Sequence, residues 1–190
     1  GAEQSGFITD MGFETYQKIL AEAMEELGFE TGISSRSSGD NFVSDCTIET
    51  DQLALIPDSY IDMTAEKIRI YKELDSLTSE KDLSNMKNRL TDRFGKMPVE
   101  LERLFDIVRI RQLGQKLGFE KIIIKNGVMI AFFITNPLSQ YYRSDRFSKV
   151  LENVNLNPKL FEIKQPDGRL RIMVRNVDGI SKAYDILKKL

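Results

Sequence analysis

The sequence has no histidine among its 190 residues. That removes the commonest general base and metal ligand, and with it every Ser-His or Cys-His nucleophilic arrangement. A single cysteine, Cys46, rules out an internal disulfide and leaves too few thiolates for a structural zinc site. Carboxylates that could hold a hard cation are plentiful, but no spacing sets a pair across a cleft, so neither a metal site nor an acid/base dyad is expected. No apolar run approaches the roughly 18 residues that a membrane span needs. No basic start leads into an apolar core as a secretory signal would. With one thiol, the composition suits a reducing, cytoplasmic setting. Neither Gly-x-x-x-x-Gly-Lys nor Gly-x-Gly-x-x-Gly occurs, so the familiar phosphate-binding loops are missing. No catalytic residue is assigned.

What is present is an ordinary 41% hydrophobic content and a lopsided charge. Residues 1–60 hold twelve Asp/Glu against two Lys/Arg, a net of −10; residues 61–190 hold seventeen against twenty-five, a net of +8. The asymmetry fits two units, the second with an acidic partner inside or outside the chain. An uneven spread of solvated surface charge is the plainer account.

Periodicity supplies the elements. Residues 11–27 read as a helix, with Phe13, Tyr16, Leu20, Ala23, Met24 and Leu27 at spacings of three and four. A polar loop over 31–41 and a strand over 42–50 follow, with Phe42, Cys46 and Ile48 on one face. Nothing basic lies close to Cys46 in sequence, so it reads as packing rather than as a reactive thiol. A turn at Pro57-Asp58 marks the candidate boundary. A second helix, about 63–77, faces inward with Ile68, Tyr71 and Leu74 or Leu77. A third opens near the box-like Ser79-Glu80-Lys81-Asp82 and shows Leu83, Met86, Leu90 and Phe94. Gly95 stops it and Pro98 suits the first turn of a fourth, with Leu101, Leu104, Phe105, Val108 and Leu117 inward and Gly118 as its end.

From Phe119 the pattern changes. Residues 119–125 and 128–135 flank Asn126-Gly127, a pair that favours a two-residue hairpin. Both runs are apolar enough for helices to cover the sheet. Ser144 can cap a helix over 145–153 showing Phe147, Val150 and Leu151. A second hairpin spans 160–165 and 169–175 around Pro166-Asp167-Gly168, with Phe161 and Ile163 facing Leu170, Ile172 and Val174. Asp178 can cap a last helix with Ile180, Ala183, Tyr184 and Leu187 inward.

On the last strand Arg169, Arg171 and Arg175 form a comb able to meet phosphates or acidic side chains. A solvated face neighboured by Glu162 and Lys164 is the alternative, since no aromatic residue interleaves with the arginines in sequence. The aromatic and methionine residues of the second to fourth helices are at core spacing and read as packing.

Several passages together resemble the C-terminal end of the bacterial transcription-repair coupling factors, the Mfd family. They are Gly1-Ala2-Glu3-Gln4-Ser5-Gly6-Phe7-Ile8 with Met11-Gly12-Phe13-Glu14-Thr15-Tyr16; Leu55-Ile56-Pro57-Asp58-Ser59-Tyr60-Ile61; Ile70-Tyr71-Lys72; Leu90-Thr91-Asp92-Arg93-Phe94-Gly95-Lys96-Met97-Pro98; and Leu117-Gly118-Phe119-Glu120-Lys121-Ile122. Order and spacing make the match specific over residues 1–125. The family is an ATP-driven, double-stranded DNA translocase that displaces stalled RNA polymerase and recruits the excision-repair protein UvrA. The resemblance implies that ATP and Mg belong to parts of the parent not in this chain. It implies that residues 57–190 are a regulatory, autoinhibitory domain that masks the parent's UvrA-binding module, and that 1–56 hold the end of the translocation motif with a helix and a strand. Gln4 then corresponds to that motif's glutamine and Gly6 to the turn after it, while Phe7 stands where the family usually has His.

The expected fold is α+β: a helical bundle packed on a hairpin-rich antiparallel sheet, with an N-terminal helix-strand appendage. Arg169, Arg171 and Arg175 are the candidate partner surface. An independent nucleic-acid-binding module is the alternative function.

Overall fold

The computed structural model describes residues 42–190. The expected helix over 11–27, the polar loop, Gln4 and Gly6 lie outside the described residues. Within them β1 (Thr47–Thr50) leads to three helices, α1 (Thr64–Ser76), α2 (Glu80–Phe94) and α3 (Val99–Leu117). A hairpin of β2 (Phe119–Lys125) and β3 (Val128–Phe133) follows, then a 3₁₀ turn at Gln140–Arg143 and α4 (Asp145–Leu156). The short β4 (Glu162–Lys164), β5 (Arg171–Arg175) and α5 (Gly179–Leu187) complete the chain.

Local chemistry accounts for most boundaries. The Ser79 hydroxyl accepts from the Asp82 N–H at 3.1 Å and starts α2. The Ser144 hydroxyl accepts from the Phe147 N–H at 3.3 Å and starts α4. Asn126 and Gly127 take φ of 53° and 72°, which a tight hairpin with right-handed twist demands. Asp178, expected to cap α5, makes no such bond. Gln52 does the work instead, its Oε1 accepting from the Ile180 N–H at 3.1 Å.

The sheet has the order β1-β2-β3-β5-β4. Three of its pairings are antiparallel, as expected. The fourth is parallel: β1 lies beside β2, with Ile48 opposite Ile122, which makes the sheet mixed. The three intervening helices form the long crossover that a parallel pair requires. The strand expected in an appendage is thus an edge of this sheet. Val43, Cys46, Ile48 and Ile56 share one core with the rest, and the turn at Pro57-Asp58 lies within that packed unit.

α3 is the axis of the core. It packs on α5, β2, β1, α1 and α4. The expected inward residues Leu101, Leu104, Phe105, Val108 and Leu117 are all buried, and so are Ile107 and Ile110. A helix touched on several sides has no single apolar stripe. On α1 Ile70 is buried with Tyr71 and Leu74, while Ile68 and Leu77 only border the core. On α4 the buried pair is Val150 and Val154 rather than Leu151. The Tyr71 hydroxyl accepts the Ile56 N–H at 2.9 Å, and burial pushes its pKa up to about 12. Tyr71→Phe withdraws an acceptor from a buried N–H, and should lower unfolding stability by about 1–3 kcal/mol in a urea titration.

The described helices cover one sheet face only. Ile122, Ile124, Met129, Ala131, Phe133, Ile172 and Val174 point into the core. Ile123, Val128, Ile130, Phe132 and Met173 alternate to the other face, are half-buried, and belong to no part of that core. Of the helices expected over the sheet, the described ones pack on one face. Ile163, expected to face inward with Phe161, is exposed on the short edge strand, whereas Phe161 is buried.

Candidate interaction surface

The three arginines fall in two different settings. Arg171 and Arg175 sit four apart on β5, an even spacing, and so share the face opposite Ile172 and Val174, while Arg169 leaves the turn that precedes β5. Register sets Arg171 between Phe132 of β3 and Lys164 of β4, and Arg175 beside Val128. The Arg169 guanidinium carbon lies 4.6 Å from the Phe132 ring centroid and that of Arg171 5.8 Å. Arg175 donates through Nε to Glu162 Oε1 at 3.1 Å, and Lys164 Nζ stands 3.5 Å from the other oxygen. The hydrogen bond from Arg175 holds the Glu162 carboxyl below its ordinary range, with the Lys164 charge adding to it.

Two cations on a ring and one in an ion pair therefore replace the uniform comb expected. Phe132 comes from the other hairpin, so no local pattern could reveal it. The absence of an interleaved aromatic residue held along the sequence but fails across the sheet. A cation over a ring face gains about 0.5–2 kcal/mol and loses freedom, which fixes the two guanidinium groups on this face.

The Asp92-Arg93-Phe94-Gly95 corner is a second constellation. Arg93 Nη1 donates to Glu66 Oε1 at 2.6 Å, and Arg69 donates to the other oxygen of that carboxylate. Glu66 is only 7% exposed, the one buried charged residue among those described. The Tyr60 hydroxyl lies 3.1 Å from the Leu90 carbonyl and 2.9 Å from that of Gly95, and its ring meets Phe94 at 5.8 Å. Gly95 holds φ at 88°, a left-handed conformation that suits glycine. These bonds tie the end of α2 to α1 and to the segment before it, just ahead of α3. Glu66 itself gave no signal in sequence, because its burial depends on residues of another helix.

Arg111 ties two further pieces together: Nε donates to Asp45 at 2.7 Å, and Nη1 donates to Asp75 at the end of α1. Cys46 packs behind it, and burial pushes its thiol pKa up, with the neighbouring Asp45 charge adding to the effect. That agrees with an inert packing residue. A shallow cleft at the start of α5 is lined by Asp51, Gln52, Lys125 and Asp178 among others. Its obvious donors are already answered, the Ile180 N–H by Gln52 and the Asn126 N–H by Asp51 at 2.9 Å. Among the described residues no three His, Cys, Asp or Glu side chains gather as metal ligands, and no helix is long and apolar enough to cross a membrane.

Comparison with known proteins places this architecture. The model of the TRCF domain matches residues 50–144. The transcription-repair-coupling factor of Rickettsia typhi is 32% identical over 190 residues, covering 98% of this chain and 16% of that protein. Its counterpart in Staphylococcus haemolyticus is 36% identical, with 94% of this chain and 16% of that protein covered. The Escherichia coli K12 protein is 34% identical over 124 residues, 64% of this chain and 10% of its own. The chain thus spans about a sixth, or less, of the length of these relatives. A crystal structure of the C-terminal domain of a transcription-repair coupling factor superposes with a TM-score of 0.62, covering 76% of this chain and 88% of that one at 17% identity. That likeness supports the α+β fold. The family model reaches across the corner at Gly95 and the first hairpin, and the chain therefore belongs to the transcription-repair coupling factor family, within its C-terminal region.

Proposed function

We propose that this chain is the regulatory, autoinhibitory interaction domain of a transcription-coupled DNA-repair factor and that it masks the UvrA-binding module of its parent. In this reading ATP hydrolysis with Mg, translocation on double-stranded DNA and displacement of RNA polymerase reside in other parts of the parent. Gln4 and Gly6 close its translocation motif.

The observation that carries the reading is a sheet face with two cations that have no carboxylate partner among the described residues. Every described helix packs on the opposite side, and Arg169 stays exposed. A mask must hold and also release. A polar contact with charge pairs allows both, because such interfaces gain specificity from charge while their net affinity stays modest.

The test is a pull-down of UvrA by a full-length coupling factor that carries this domain. Reversing charge at Arg169, Arg171 and Arg175 together should raise UvrA capture about tenfold or more, since each tenfold requires only about 1.4 kcal/mol of lost masking contact. Unchanged capture would remove these residues from the masking surface.

A nucleic-acid-binding module is the second reading, favoured by Phe132 beneath the arginines. It calls for DNA binding by the isolated chain that weakens steeply with salt. Arg169 already occupies the ring, which leaves little room for a base to stack.

A further inference from the structure

The face opposite the helices has a definite layout. Register aligns Ile123, Ile130 and Met173 in one row across β2, β3 and β5. A second row holds Lys121, Phe132, Arg171 and Lys164, and a third Lys125, Val128 and Arg175. An aliphatic centre is therefore flanked by cations on both sides.

Most of those cations are answered. Glu49 pairs with Lys121 at 2.7 Å and with Lys125 at 3.6 Å, and Glu162 pairs with Arg175 and Lys164. Among the described residues Arg169 and Arg171 have no carboxylate partner. The Nε of Arg171 is also shielded from solvent and has no hydrogen-bond partner. A guanidinium N–H that has lost water and gained nothing is left unsatisfied, and the charge it carries favours a carboxylate docked beside the group.

We infer that this sheet face docks an acidic amphipathic segment of a protein, its apolar side chains laid on Ile123, Ile130 and Met173 and its carboxylates on Arg169 and Arg171. The inference rests on the reading of the chain as an interaction domain and adds the face and the chemistry of the partner. Charge complementarity selects the occupant. A nucleic acid has no apolar side to lay on the aliphatic row, and that row offers no ring on which bases could stack. An acidic helix or strand meets the same two arginines while covering that row.

The experiment uses the full chain and three fluorescent probes. One is a synthetic amphipathic peptide with leucine on one face and glutamate on the other; the second replaces each glutamate by lysine; the third is single-stranded DNA. Fluorescence anisotropy should show binding of the glutamate peptide and at least about tenfold weaker binding of the other two. Arg169→Glu with Arg171→Glu should weaken the glutamate peptide about tenfold or more, and Ile130→Thr several-fold by shrinking the apolar row. Lys149→Gln should leave it within about twofold, since that side chain lies on α4, across the sheet from this face. Should the double reversal fail to fold, as judged by circular dichroism, Arg169→Gln with Arg171→Gln carries the same test. Equal binding of both peptides, preference for DNA, no binding at all, or indifference to the two arginines would each overturn the proposal. Peptide binding through the arginines with no masking of UvrA by the domain keeps this face and discards masking. Masking without peptide binding discards this face alone.

Discussion

Truncating Tyr141 to alanine is expected to lower stability by about 3–5 kcal/mol, the range for removing a large aromatic side chain from a packed core. Tyr141 is fully buried. Its ring meets Phe42, Phe133, Tyr142 and Phe147 with centroids 5.3 to 6.2 Å apart, mostly in tilted or edge-on geometry. Its hydroxyl donates to the Leu117 carbonyl at 2.5 Å, one of the acceptors that α3 leaves free at its C-terminus. Burial pushes the phenol pKa up, so the group stays a neutral donor. Tyr141→Phe keeps the ring and should cost only the hydrogen bond, about 1 kcal/mol. Urea unfolding followed by circular dichroism separates the two variants.

Gly118→Ala is the second large effect, at about 3 kcal/mol. Gly118 ends α3 with φ at 94°, in the left-handed region. A side chain there costs about 1–2 kcal/mol from backbone sterics. A methyl group would also stand 2.1 Å from Tyr141 Cε2, closer than any real contact, and overpacking adds about 1–3 kcal/mol. The two positions should therefore couple. With Tyr141 already alanine, the ring that Gly118→Ala strikes is gone and only the backbone cost remains. The double variant should be more stable than the sum of the single effects implies, by about 1–3 kcal/mol. Strict additivity would mean that the ring and the glycine do not meet.

Where the sequence was legible, the cause was local. Ser79 and Ser144 cap helices, Gly95 and Gly118 stop them, and Asn126-Gly127 turns a hairpin, because each acts within a few residues. The face of β5 that carries Arg171 and Arg175 followed from alternation alone. What escaped was set by distant partners. β1 joins β2 in parallel only after three helices have folded back. Gln52 caps α5 from 128 residues away in the chain. Glu66 is buried because Arg93 of the next helix answers it. Phe132 reaches Arg169 and Arg171 across a strand pairing that no sequence motif encodes. The candidate surface was thus readable as a list of cations, and its division into ring-bound and ion-paired arginines was not.

The most direct test of a masking domain is its removal. Residues 42–190 would be deleted from a full-length coupling factor carrying this domain, and UvrA binding measured by isothermal titration calorimetry before and after. The account predicts affinity at least about tenfold tighter after deletion, since lifting a mask returns its coupling free energy. Affinity that stays the same or weakens would contradict it.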